Sequence, residues 1–360
     1  MSSFITSIGT ANPENKITQE EVHHFMTRAH QLSDDEAYKL KALYRASGIA
    51  SRYSVLQDYQ KQEGFDFYAN SVDLEPFPST RSRNQLFTRK ALELSLKAIS
   101  SCLPADFDLK QITHLITVSC TGLYAPGLDI EIVYALGLPT SVQRTGINFM
   151  GCYAAFNALK VAEAVCSNDH SAKVLIVCTE LCSIHFQKEK TDDNLLANAL
   201  FGDGSAAVLV ESNADSGLKI ADFACDLLPN GIEDMAWKIG DFGFEMKLSA
   251  YVPDVIKEGI DKLLDHLVST DNDRFQHYAV HPGGKKILSV VEDKLGIDKS
   301  QNSSAHEVLR EYGNMSSPTI LFVLKRLMDT MNASNNGDRI FSLAFGPGLT
   351  LETIILEVQV

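Results

Sequence analysis

One order of segments occurs twice along this chain, and that recurrence constrains the fold more than any single motif. In the first half, ITHLITVSC (112–120) is a short β-branched run ending in the small polar loop CTGLYAPG. A helical segment containing Cys152 follows, then the strands AKVLIVCTEL (172–181) and GSAAVLVES (204–212), the second behind the turn FGDG. In the second half, QHYAVHPGG (276–284) runs as a strand into a Gly-rich turn, and KKILSVVEDKLG reads as an amphipathic helix. GNMSSPTILFVLKRLMDT then gives a helix behind a capping loop, and DRIFSLAF (338–345) and LTLETIILEV (349–358) finish as strands around the turn GPG. Cys152 and Asn314 take equivalent places, each opening a helix. Alternating strands and helices are common in α/β proteins, so chance is the competing explanation. Duplication implies an α/β fold of two related halves, 1–212 and 213–360, with a site between their paired loops and a boundary in the polar stretch ESNADSGLK (211–219). Residues 1–110 read as mostly helical, through KITQEEVHHFMTRAHQL and NQLFTRKALELSLKAISSCL.

The formal charge of −14 argues against nucleic acid or an anionic membrane as the main partner, since either needs a cationic face. No apolar run is long enough to span a bilayer, and the N-terminus lacks the basic and apolar regions of a signal peptide. The seven cysteines show no paired spacing and no companion histidine pattern, which suits reduced thiols in a cytoplasmic compartment and no metal site.

Cys152 heads GCYAAFNALKVAEAV, behind the chain-breaking Asn148 and Gly151. A thiol at a helix N-terminus lies near unpaired N–H groups that favour thiolate, although most free cysteines are simply small core residues. His281 ends an apolar strand, where α/β folds place ligands, and is read equally well as structural. Asn314, between Gly313 and Met-Ser-Ser-Pro, is a natural helix N-cap when taken alone. Together the three supply a nucleophile, an imidazole and a neutral hydrogen-bond donor. Cysteine can carry an acyl group, and the histidine N–H and asparagine amide can bind a developing oxyanion. With no carboxylate base in the trio, the chemistry that fits draws its carbanion from loss of carbon dioxide. A Cys-His-Asn hydrolase is the rival, but the Cys-Gly-Ser-Cys-Trp signature of papain-like proteases is missing.

The segments GCYAAFNAL, ALFGDGSAA, HPGGKKIL, EYGNMSS and FGPGLTLET resemble, in this order, the signatures of type III polyketide synthases, the chalcone synthase-like enzymes of the thiolase superfamily. The resemblance runs from about residue 5 to the C-terminus and puts the family's catalytic residues on Cys152, His281 and Asn314. It implies a thiolase-like αβαβα layered fold, a homodimer, and an acyl-CoA starter loaded on the cysteine. Malonyl-CoA is then decarboxylated and condensed repeatedly, giving a pyrone, resorcinol or related product, with no metal or prosthetic group.

The same resemblance marks substrate-binding positions. Phe201 and Met246 fall on two gatekeeping phenylalanines, the second replaced here by a flexible thioether. Trp237 aligns with a glycine of plant enzymes and either fills the elongation pocket or packs in the core. Thr121 and Ser316 fall on cavity positions, and His185 is either a wall or a substrate partner. Ala125 stands where plant enzymes send a methionine across the dimer interface. For CoA, the resemblance points to Lys39, Arg45, Gly283 and Lys286, with Lys41 and Lys285 nearby; two expected basic positions are Ala42 and Ala46. A solvated basic face is the plain alternative. The weakened cluster leaves open an acyl carrier protein as the starter's donor. A single-round ketoacyl synthase and a catalytically silent ketosynthase-like subunit remain the other readings.

Overall fold

The computed structural model describes residues 2–212, 214–232, 234–249, 252–267 and 275–360; Asn213, in the expected boundary stretch, lies outside them. The strands of the first half are β1 (Ser3–Ala11), β2 (Asn15–Thr18), β3 (Ser51–Ser54), β4 (His114–Ser119), β5 (Gln143–Asn148), β6 (Lys173–Leu181) and β7 (Asp203–Ser212). Those of the second are β8 (Gly217–Leu227), β9 (Met235–Gly240), β10 (Gly243–Leu248), β11 (His277–Val280), β12 (Arg339–Gly346) and β13 (Thr350–Gln359). The helices are α1 (Gln19–Ala29), α2 (Asp34–Ala46), α3 (Thr80–Cys102), α4 (Leu128–Leu136), α5 (Ala154–Asn168) and α6 (Asp192–Leu200). α7 (Val252–Leu267), α8 (Lys285–Leu295), α9 (Ser303–Tyr312) and α10 (Thr319–Met328) complete the set.

Nine strands join in the order β11-β12-β13-β8-β1-β7-β6-β4-β5. β4 runs parallel to β6, β6 antiparallel to β7, and β7 antiparallel to β1. In the other half β11 runs parallel to β12, β12 antiparallel to β13, and β13 antiparallel to β8. The two series correspond strand for strand. They meet where Phe4 and Ile5 of β1 pair with Lys219 and Leu218 of β8.

The apolar run in β6 reflects covering on both faces. Val174, Ile176 and Cys178 enter one core and Leu175, Val177 and Leu181 the other, as the two-residue period of a strand requires. α3 packs on β1, β6 and β7, while α7 covers β8 and β13 on the far side. α5 and α10 lie between, touching strands of both halves. The buried Ala154, Ala155, Ala158 and Ala162 make α5 slim enough for that middle layer. The layers are therefore αβαβα.

Two expectations about the first 110 residues need correction. The helix read from Lys16 starts at Gln19, because Thr18 and Glu21 form a capping box and Lys16 and Ile17 belong to β2. β1 departs from the helical expectation for this region and is central to the sheet. Its small residues hide it, and one explains itself: a Cβ on Gly9 would lie 2.2 Å from the Cys102 backbone nitrogen, so α3 rests directly on this strand. Among the described residues, no helix is long and apolar enough to cross a membrane.

Candidate active site

Cys152 sits in one 3₁₀ turn, Gly151–Tyr153, that leads into α5. Gly151 has φ +81°, and a Cβ there would lie 2.3 Å from Pro347 Cδ. The Gly346-Pro347-Gly348 turn thus packs against the nucleophile's own turn, and only glycine admits both the angle and the approach. The Gly151 N–H donates to Cys120 Sγ at 3.0 Å, tying the turn to the loop after β4.

Asn314 is held from both sides. Its N–H donates to the Leu200 carbonyl and its carbonyl accepts from the Gly202 N–H, each at 2.9 Å, forming an isolated parallel bridge to Phe201. The side-chain Oδ1 accepts from the Ser316 N–H at 2.8 Å and from Thr319 Oγ1 at 3.4 Å. That fixes which end of the amide is oxygen: Oδ1 and Nδ2 both lie 3.9 Å from Cys152 Sγ, and Nδ2 is the end with protons to donate. The N-cap reading of Asn314 is therefore wrong, since α10 starts only at Thr319, behind Pro318. Ser316, at φ +60°, lets the chain turn back so that its N–H reaches the amide.

His281 follows β11, with its N–H on the Leu343 carbonyl at 2.7 Å. Its ring is fully buried and stands edge-on to Phe345, centroids 5.5 Å apart. Neither ring nitrogen has a hydrogen-bond partner among the described residues. Burial pushes the imidazole down to about 3. Burial likewise pushes the Cys152 thiol up to about 12, against smaller lowering contributions from Ser316 and Asn314. The helix terminus was expected to favour thiolate; desolvation of the closed pocket opposes it and dominates. Burial thus drives both groups toward their neutral forms.

Cys152 and Asn314 line one cavity together with Thr121, Phe201, Trp237, Met246, Gly283, Ser316 and Phe345. A second cavity shares Cys182, Phe201, Trp237 and Met246 with the first and extends to Ile17, Val22 and Met26. His185 lines this second space. It donates from Nε2 to the Thr121 carbonyl at 2.8 Å and accepts at Nδ1 from the Phe244 N–H at 3.0 Å. Its ring lies stacked on Phe244 at 4.2 Å. With both nitrogens engaged, His185 is a wall. Trp237 donates from Nε1 to the Cys120 carbonyl at 2.8 Å, and it pairs with Met246 across the β9–β10 hairpin. Two ring side chains therefore clamp that hairpin onto the loop beside the nucleophile.

Family models for the N-terminal and C-terminal domains of chalcone and stilbene synthases match residues 2–214 and 219–359. The chain belongs to the chalcone and stilbene synthase family. It is 30% identical over 373 residues to a probable polyketide synthase 1 of Dictyostelium discoideum, covering 99% of this chain but spanning only 11% of that much longer protein. The C-terminal type III polyketide synthase domain of Steely1, a type I/III hybrid from Dictyostelium, superposes with a TM-score of 0.90 at 29% identity, over all of both chains. PKS-I from the brown alga Ectocarpus siliculosus superposes with a TM-score of 0.89 at 29% identity, over 99% of this chain and 98% of that one. The fold is the thiolase-like one of these type III polyketide synthases, a family of condensing acyltransferases.

Within this synthase fold, the residues singled out for CoA form two groups. Lys39 and Arg45 are exposed on α2, and Lys286 is exposed on the first turn of α8. Lys285 lies over Gly48, just past the end of α2, which brings the two groups to one rim. Gly283 instead lines the cavity itself. Among the described residues, no cluster of three or more histidine, cysteine or acidic side chains is arranged to hold a metal ion.

Sequence reasoning missed two buried charged residues. Glu180, inside the apolar run of β6, accepts from Ser119 Oγ, the Cys120 N–H, Thr121 Oγ1 and Ser317 Oγ at 2.7–3.2 Å. It joins the loop after β4 to the loop after Asn314, and burial raises its pKa. The other is Arg52, behind Phe201. A lone acid inside KVLIVCTEL was the available signal for Glu180.

Proposed function

We propose that this chain is a type III polyketide synthase that loads an acyl-CoA starter on Cys152 and extends it by decarboxylative condensation with malonyl-CoA. The observation that carries the reading is the Asn314 amide beside Cys152 Sγ, with its oxygen bonded to the Ser316 N–H and its Nδ2 donor 3.9 Å from the sulfur. A donor placed there serves an oxyanion near the sulfur. As sulfur attacks the starter thioester, neutral His281 takes the thiol proton and returns it to the departing CoA. Malonyl-CoA then loses carbon dioxide, and the electron pair of the broken C–C bond passes to the thioester oxygen as an enolate. Asn314 Nδ2–H and the His281 N–H stabilise that oxygen. The enolate carbon attacks the acyl-Cys152 carbonyl, and the cysteine sulfur leaves, so the lengthened chain is back on CoA.

The apolar side chains that line the two adjoining cavities support a starter with an apolar acyl tail. Its carbonyl sits at Cys152 and its tail passes between Phe201, Trp237 and Met246 toward Ile17, Val22 and Met26. CoA phosphates are assigned to the rim of Lys39, Arg45, Lys285 and Lys286. A homodimer is part of this reading, with the exposed edge strand β5 and the nearby Ala125 as the candidate contact, as is a cytoplasmic setting. A carrier-protein-bound starter is the second reading, favoured by the exposed Ala42 and Ala46 on α2 where a CoA-type cluster calls for base. Incubation with malonyl-CoA and acyl-CoA starters of increasing length, followed by product mass, tests the proposal. Repeated two-carbon extension supports it; no CoA release with any starter would refute it.

A further inference from the structure

Arg52, on β3, is only 4% exposed, yet no carboxylate forms an ion pair with it among the described residues. Nη1 donates to the Phe201 carbonyl at 2.7 Å and Nη2 to Gln19 Oε1 at 3.0 Å. The guanidinium also stands over the Tyr44 ring at 5.9 Å. Asp203, the nearby acid, is taken up by the Val55 N–H, the Ser183 N–H and Ser183 Oγ. Asp203 attracts the guanidinium without bonding to it. Desolvating a cation whose direct partners are neutral oxygens is a poor way to stabilise a fold, so the placement calls for another reason.

The carbonyl it grips belongs to the residue bridged to Asn314. Leu200 and Gly202 hold Asn314 by its backbone, and the segment between them is anchored through Phe201. Arg52 also packs directly on both glycines of this bridge. A Cβ on Gly202 would lie 3.1 Å from Arg52 Cβ, and one on Gly313 would lie 3.6 Å from it. We propose that Arg52 is a positioning residue which, anchored by Gln19, fixes the 200–202 segment and so sets where the Asn314 amide meets the forming enolate. It touches no reacting atom; it acts through Asn314.

This inference rests on the proposed condensation, so the test follows two half-reactions in the same preparations: decarboxylation of malonyl-CoA, and acylation of Cys152 by a starter acyl-CoA, read by intact mass. Displacing a catalytic group by about 1 Å can cost on the order of 100-fold. Arg52→Met is expected to lower decarboxylation by about 10- to 100-fold while acylation changes by less than about 3-fold. Arg52→Lys, which keeps one donor, should recover part of the loss. Gln19→Ala should repeat it more weakly, and both serve if Arg52→Met fails to fold. In an Asn314→Ala background, Arg52→Met should add nothing further to the decarboxylation defect. Parallel loss of both half-reactions, or an effect that persists without Asn314, would overturn the positioning role. If the unaltered protein performs neither half-reaction, it is the condensation reading that fails.

Discussion

Four strands of one half, β4, β6, β7 and β1, correspond to β11, β12, β13 and β8 of the other, yet the equivalent loops do different work. On one side a single 3₁₀ turn carries Cys152 straight into α5. On the other, Asn314 lies five residues ahead of α10, strapped to the 200–202 segment by backbone hydrogen bonds and with its side-chain oxygen held by the Ser316 N–H. The contrast teaches that a repeated topology fixes where two loops meet, while a few local angles decide what each presents. Gly151 at φ +81° turns out a sulfur; Ser316 at φ +60° turns out an amide N–H.

The sharpest way to break this division of labour is Cys152→Ala. It should abolish self-acylation and condensation, checked by intact mass with a starter acyl-CoA. His281→Ala should cripple both loading and decarboxylation, because the neutral imidazole serves each half-reaction. Trp237→Gly acts on the partition between the two cavities. It should raise kcat/KM for long acyl starters on the order of 10-fold relative to short ones, in a starter series. The smallest effect concerns the clamp. Burial puts the folded-state pKa of His185 at about 3, below its unfolded value of about 6.5. Between those values the unfolded chain binds the extra proton, so this stabilisation is complete above pH 6.5 and is lost as pH falls toward 3. His185→Gln keeps a donor and an acceptor but no titration, and should show a shallower fall in melting temperature between pH 7 and 5.

Much of the site was legible because chemistry-bearing residues sat at the ends of well-formed segments. Cys152 and Asn314 each follow a glycine, and His281 ends a strand ahead of Pro-Gly-Gly. The repeat pointed to two related α/β halves, and the αβαβα order came with the family resemblance. Phe201 and Met246 both line the cavity that Cys152 and Asn314 share. What stayed hidden depended on long-range packing. The Arg52 contact with Phe201 crosses 149 residues, and no local spacing encodes it. β1, with Ser3, Ser7, Gly9 and Ala11 among its nine residues, takes its place in the sheet through insertion between β7 and β8. The protonation of Cys152 was misjudged for the same reason. Helix geometry is local and was read correctly, whereas burial of the whole pocket is global and sets the larger shift.

Asn314→Ala tests the central claim most directly, with malonyl-CoA decarboxylation and Cys152 acylation measured on one sample. Decarboxylation is predicted to fall by about 100- to 1,000-fold while acylation by a starter acyl-CoA persists. Undiminished decarboxylation, or equal loss of both, would contradict the assignment of the enolate oxygen to this amide.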